Sequence, residues 1–167
     1  MKSISYNGKG YIMIFDKKIA IFNGHAENCE DALRILSEKF VEAGVVEDNF
    51  LEGLLKREAV FPTGLLLDDR DFGVAIPHTD PEYVKTTQLG FMTLDEPVTF
   101  KFMADPETEV PVKIIFMMAI KEAHGQVEML SKLMEIFADS SMVDRFRAVD
   151  NIDDFLAIVS ELGLDQF

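Results

Sequence analysis

The sequence predicts an α/β protein, a three-layer α/β/α sandwich with a mixed central sheet and helices on both faces. Three observations carry that prediction. Two amphipathic helical patterns come first, a cluster of strand patterns follows, and three further helical patterns close the chain. The stretch 112–120 (VKIIFMMAI) is almost unbroken apolar, as a strand covered on both faces must be. The 167 residues are 48% hydrophobic and 28% charged, which suits one soluble domain with a substantial core.

Taken in order, residues 1–12 (MKSISYNGKGYI) are polar and without period, and Met13 is an alternative start. Residues 1–16 are therefore expected to be an appendage or a lead-in to the first strand, and 17–167 the single domain. Lys17 to Phe22 reads as the opening strand. From Asn28 the apolar residues Cys29, Ala32, Leu33, Leu36 and Phe40 recur at helical steps, with Asn28 as N-cap and Gly44 as the stop. Val46, Phe50, Leu51, Leu54 and Leu55 mark a second helix that ends before Pro62. Pro62-Thr63-Gly64 is a turn signal, and the polar stretch 68–71 is a loop. Phe72 to Ile76 reads as a strand stopped by Pro77, Thr87 to Leu94 as another, and Val98 to Phe102 as a short separate one. In the last three helices the expected buried stripes are Val127, Leu130, Met134 and Phe137, then Met142, Val143 and Phe146, then Ile152, Phe155 and Val159.

Charge and composition exclude several functions. Sixteen Lys+Arg against thirty Asp+Glu leave a net charge of −14, the wrong sign for nucleic acid or an anionic membrane surface. The single cysteine, Cys29, excludes an internal disulfide framework and a thiolate zinc site, and it falls on the apolar stripe of the first helix. No stretch has the length of a membrane span or the form of an export signal, so a cytoplasmic location and no membrane insertion are expected. The sequence holds no P-loop, dinucleotide fingerprint or nucleophile elbow.

The three histidines are what remains for chemistry. His78 follows the strand-ending Pro77, at a sheet terminus where open α/β sheets bind ligands. The residues alone leave it open between a functional imidazole and a surface histidine in a turn. His124 falls in the first turn of a helix, where free N–H groups favour anions, and a solvated helix-start histidine is the competing reading. His25, in the Asn23-Gly24-His25 turn, reads as a surface residue.

Four local patterns occur in a telling order: Leu55-Lys56-Arg57-Glu58, Pro62-Thr63-Gly64, Ala75-Ile76-Pro77-His78, and His124-x-x-Val-x-x-Leu-x-x-Leu. Together they resemble the type-2 Enzyme IIA domain of the bacterial phosphoenolpyruvate-dependent sugar phosphotransferase system, over roughly 17–163. Phe61-Pro62-Thr63-Gly64 and Pro77-His78-Thr79-Asp80 look most like its galactitol-type branch. Two features depart from the pattern: Thr79 stands where a small residue is usual, and the Gly64 to Gly73 connection is longer than in mannitol-type relatives.

The resemblance implies a phosphoryl relay in which His78 accepts a phosphoryl group from the phosphohistidine of the carrier HPr. It would then pass the group to a cysteine of an Enzyme IIB partner. Arg57 and His124 would hold the phosphoryl oxygens and Thr63 would orient the site, with no metal and no cofactor. An imidazole with a pKa of ~6.5 is largely neutral in the cytoplasm, which suits a nucleophile. Transient docking calls for an apolar rim, for which Phe61, Leu65, Phe72 and Ile76 are candidates. Two other readings stand beside this one. A regulatory Enzyme IIA-like module would signal by phosphorylation-dependent partner binding, and a metal-dependent hydrolase would need carboxylate ligands around His78 and His124.

Overall fold

The computed structural model describes residues 13–167; what is expected of residues 1–12 lies outside the described residues. In chain order the elements are β1 (Ala20–Gly24), α1 (Cys29–Glu42), α2 (Phe50–Val60), β2 (Gly64–Leu65), β3 (Gly73–Ala75), β4 (Gln88–Lys101), β5 (Glu109–Ala119), α3 (Ala123–Phe137), α4 (Ser140–Ala148) and α5 (Ile152–Glu161). A single 3₁₀ turn, Pro81–Tyr83, lies between β3 and β4. The strands form one five-stranded sheet in the order β1-β4-β5-β3-β2. β1 runs parallel to β4 and β3 parallel to β5, while the β4–β5 and β2–β3 pairs are antiparallel, so the sheet is mixed.

The central strand shows why the sandwich has three layers. Along β5, Val112, Ile115, Met117 and Ala119 join the core beneath α1 and α2. Ile114, Phe116 and Met118 join the core beneath α3, α4 and α5. Alternate side chains of a strand point to opposite faces, so an unbroken apolar run needs cover on both. The α3–α5 side is an aromatic cluster, with Phe91 stacked on Phe155 at 4.4 Å and Phe116 edge-on to Phe146 at 5.2 Å. The opposite side is mainly aliphatic, with Phe40 and Phe50 meeting at 5.6 Å. The ends of α1 are as expected: Asn28 Oδ1 accepts the Asp31 N–H at 2.8 Å, and Gly44 takes φ 72°.

Four expectations are corrected. β1 starts at Ala20 rather than Lys17, because Lys18 adopts φ 53° in a turn closed by its N–H on the Phe15 carbonyl. Residues 13–16 are packed into the domain: Ile14 and Phe15 are buried, and Leu89 N–H donates to the Ile14 carbonyl at 2.8 Å. Thr87–Leu94 and Val98–Phe102 are not two strands. β4 is continuous, with a register shift between Thr93 and Val98 that absorbs the exposed Asp95 and Glu96 and the donor-less Pro97. In α3 the buried face is Gly125, Met129, Leu133 and Phe137, so Val127 and Met134 point outward.

Parallel pairing brings the ends of β3 and β5 to the same edge. Beyond Ala75 the chain still follows β5, with Pro77 carbonyl accepting the Met118 N–H at 2.9 Å and His78 bridged to Met118. α3 starts at that edge, directly after β5.

Candidate functional site

His78 is held from its backbone outward. Its ring Nδ1 lies 2.9 Å from the carbonyl oxygen of Ile76. A carbonyl can only accept, so Nδ1 carries the hydrogen and the neutral ring presents the Nε2 lone pair. Burial pushes the His78 pKa below the ordinary imidazole value; the Ile76 hydrogen bond opposes this, the Arg57 charge reinforces it and the Asp80 charge opposes it. The imidazole is thus held neutral and in a single tautomer near neutral pH.

Arg57 lies in the last turn of α2. Its guanidinium carbon sits 4.6 Å from the centroid of the Phe61 ring, and a terminal nitrogen lies 4.0 Å from Asp80 Oδ1. Nε is buried and has no hydrogen-bond partner among the described residues. A planar donor fork, loosely held and close enough to act on the His78 ring, suits an anion bearing several oxygens.

Thr63 is 2% exposed and fully engaged by Glu58. Its N–H donates to Glu58 Oε1 at 2.8 Å and its hydroxyl to Oε2 at 2.9 Å. Burial pushes the Glu58 carboxyl up to about 7, against the opposing pull of these bonds. The Thr63 carbonyl in turn accepts the Ile76 N–H at 3.2 Å.

The segment beyond His78 is clamped between helices. A Cβ on Gly53 would come within 2.9 Å of both Thr79 Oγ1 and the Tyr83 ring, so only glycine lets α2 lie this close. On the other side Gln126 of α3 donates from Nε2 to the Thr79 carbonyl at 2.8 Å. Thr79 therefore fits as a buried wedge beneath α2.

His124 stands in the first turn of α3, as expected, but its side chain is 85% exposed and pairs with Glu128 Oε1 at 2.8 Å. The structure thus brings the Ile76 carbonyl and the Arg57 charge to His78, with Thr63 one step removed on the Ile76 N–H, while the α3 residue touching that segment is Gln126. His25 is remote in character, with its two ring nitrogens on Asp95 and Glu27 at 3.1 Å each. Cys29 is half-buried against the α1–α2 core, with burial first and then Glu58 and Glu30 pushing its thiol up to about 12. Among the described residues no three His, Cys, Asp or Glu side chains gather as a metal cage.

Of the apolar rim expected, only Phe61 is exposed; Ile76 is fully buried and Leu65 and Phe72 pack against the α3–α5 core. Val60 and Val127, which the sequence did not single out, are each 65% exposed. Glu58, Asp80 and Gln126 were also missed. Of these, Glu58 carried a signal, as the direct neighbour of Arg57 in the Leu55-Lys56-Arg57-Glu58 pattern.

Residues 13–162 match the family described as "Phosphoenolpyruvate-dependent sugar phosphotransferase system, EIIA 2". The galactitol-specific EIIA component of Escherichia coli K12 is 27% identical over 100 residues, covering 60% of this chain and 65% of that protein, so the match spans less than two thirds of the relative's length. The ascorbate-specific EIIA component of the same organism is 27% identical over 146 residues, 86% of this chain and 90% of that one. Among solved structures, the mannitol IIA of Escherichia coli superposes with a TM-score of 0.65 at 22% identity, covering 84% and 94% of the two chains. The nitrogen regulatory protein IIA-Ntr of Neisseria meningitidis gives a TM-score of 0.65 at 25% identity, covering 86% and 93%.

Proposed function

The chain belongs to the EIIA 2 family of the phosphoenolpyruvate-dependent sugar phosphotransferase system, and from that premise we propose that it is a phosphoryl carrier whose reacting atom is Nε2 of His78. The observation that carries this reading is the Nδ1–H bond to the Ile76 carbonyl, which leaves Nε2 as the basic nitrogen beside Arg57.

In the first step the Nε2 lone pair attacks phosphorus of phosphorylated HPr in line with the P–N bond that breaks, and the HPr imidazole leaves. Such transfers depend on positioning and charge stabilisation more than on covalent help. Nδ1 keeps its proton on the Ile76 carbonyl, which steadies the positive charge that grows on the ring. Arg57 donates to the phosphoryl oxygens and Thr63 keeps the Ile76 strand end in place. His124 adds a donor when it leaves Glu128. In the second step a cysteine thiolate of an Enzyme IIB partner attacks phosphorus, and the neutral His78 ring is restored. One structural relative is a complex of enzyme IIA mannitol with phosphorylated enzyme IIB mannitol of Escherichia coli, with a TM-score of 0.65 at 23% identity over 85% of this chain and 94% of that one. The exposed Val60, Phe61 and Val127 offer the apolar contacts that such transient docking uses. The working location is the cytoplasm, in line with the observation that no helix among the described residues is long and apolar enough to cross a membrane.

Galactitol is the proposed sugar branch, with ascorbate and mannitol types as competitors. The test is to load the chain from purified phospho-HPr and offer galactitol-, ascorbate- and mannitol-type Enzyme IIB in parallel. Preferential transfer to the galactitol-type partner is expected. Preference for another type reassigns the branch, and a chain that loads but discharges to none belongs to a regulatory role.

A further inference from the structure

The β2–β3 ladder ends in an unusual way. Gly64 pairs with Ala75 and Leu65 with Val74, so the next rung sets Thr63 opposite Ile76. Ile76 N–H does donate to the Thr63 carbonyl, at 3.2 Å. In an antiparallel ladder, residues that face each other at such a rung exchange both bonds, so the Thr63 N–H should return to the Ile76 carbonyl. It donates instead to Glu58 Oε1 at 2.8 Å. The Ile76 carbonyl accepts Nδ1–H of His78 at 2.9 Å. One carboxylate has taken over half of a backbone rung, and the freed half holds the imidazole.

We propose that Glu58 is the positioning residue that gives His78 its reactive tautomer, by taking the Thr63 N–H and so leaving the Ile76 carbonyl to the ring. This rests on the reading of His78 as the phosphoryl acceptor only for its consequence in transfer, and not for the tautomer itself. A carboxylate suits the task because it accepts without donating, and bonds to it are shorter and stronger than neutral ones. The Thr63 hydroxyl, on Oε2 at 2.9 Å, ties the second carboxylate oxygen to the same residue. Without this acceptor the Thr63 N–H would be buried unpaired, and its nearest remedy is the Ile76 carbonyl in competition with His78.

The surroundings of Glu58 leave that role to it alone. From α1, Cys29 and Glu30 share its pocket, and from the end of β4 so does Lys101. The Cys29 thiol is neutral, pushed up to about 12. Lys101 lies 3.5 Å from Glu109, and Arg57, next to Glu58 on α2, is turned to Phe61 and Asp80. Since burial pushes the Glu58 carboxyl up to about 7, its charge changes across the range in which a cell works.

The experiment reads the ring nitrogens of His78 and the Thr63 amide by ¹⁵N NMR in the wild-type chain, E58Q and E58A, without any partner. Wild type is expected to show the Nδ1–H tautomer above neutral pH, and E58Q to keep it, since an amide oxygen still accepts from Thr63. E58A is expected to show a mixture that includes Nε2–H. Titration should move the wild-type Thr63 amide with a midpoint near 7, and E58Q should abolish that step. Should E58A fail to fold, the wild type decides: a His78 ring in the Nε2–H form, or a Thr63 amide whose through-hydrogen-bond coupling runs to the Ile76 carbonyl and not to the Glu58 carboxylate, overturns the proposal. So does an E58A chain whose His78 remains wholly Nδ1–H. In transfer from phospho-HPr, E58A should lose about tenfold in rate, the worth of one hydrogen bond, with E58Q restoring most of it. If the tautomer behaves as stated while His78 never takes phosphoryl, the carrier reading fails and the positioning one stands.

Discussion

His78 and His25 are the same side chain driven in opposite directions. His25 lies on the surface with a carboxylate at each ring nitrogen, and the Asp95 and Glu27 hydrogen bonds raise its pKa. His78 lies at a strand end with a backbone carbonyl on one nitrogen, and burial lowers its pKa. One environment favours the doubly protonated ring, while the other favours a neutral ring with one unprotonated nitrogen. A carboxylate close at hand therefore holds a histidine in its charged form, whereas a neutral carbonyl acceptor and lost water hold His78 in its neutral one. His124 forms a third case, a helix-start histidine whose exposed ring is occupied by Glu128.

The largest effect that could break this contrast is on His78 itself. H78A should accept no phosphoryl from phospho-HPr yet keep its circular dichroism and thermal midpoint near wild type above neutral pH, because the half-buried ring belongs to neither core cluster. Next is Arg57: R57A should slow acceptance by about 10²–10³, the usual cost of one charge-assisted donor to a transition state. R57K should recover only part of this, since an ammonium lacks the planar fork. Stopped transfer kinetics would check both. H124A should cost less, about tenfold, because its ring must first leave Glu128. E128Q should leave acceptance unchanged or raise it, and a slower E128Q would mean that the Glu128 contact itself matters.

The smallest effect concerns stability against pH. A raised folded pKa gives His25 a contribution that is full below the unfolded value of ~6.5 and fades as pH rises through the folded value. A lowered folded pKa gives His78 the reverse, with no penalty above ~6.5 and a growing one as pH falls toward the folded value. Thermal midpoints measured between about pH 5 and 8 should thus show H25A losing stability on the acid side and H78A gaining it there. Parallel curves for the two variants would contradict the opposed environments.

How much of this was legible in the sequence depends on how local each cause is. The double burial of β5 shows in an unbroken apolar run, and the caps of α1 in Asn28 and Gly44, since both are decided within a few residues. The face of α3 was not decided locally. Val127-Leu130-Met134-Phe137 and Gly125-Met129-Leu133-Phe137 both obey helical spacing, and the second wins through contacts from afar. A Cβ at Gly125 would meet the Phe167 ring at 2.8 Å, so the C-terminal residue packs where a side chain would have stood. At the site, Pro77 announced a strand end and drew attention to His78. The hold on its ring was invisible, because it depends on which carbonyl the β2–β3 rung leaves free and on a carboxylate five residues before Thr63 in another element.

The central claim, that His78 Nε2 is the phosphoryl acceptor, is tested most directly by locating the modified atom. The chain is incubated with phosphoenolpyruvate, Enzyme I and HPr, kept alkaline to preserve phosphohistidine, and examined by mass spectrometry with ³¹P–¹⁵N NMR of the ring. A single phosphoryl group on Nε2 of His78, unaffected when magnesium is chelated after phospho-HPr has been purified, is the predicted result. Phosphoryl on His25 or His124 with His78 unmodified, or on Nδ1 of His78, would contradict it.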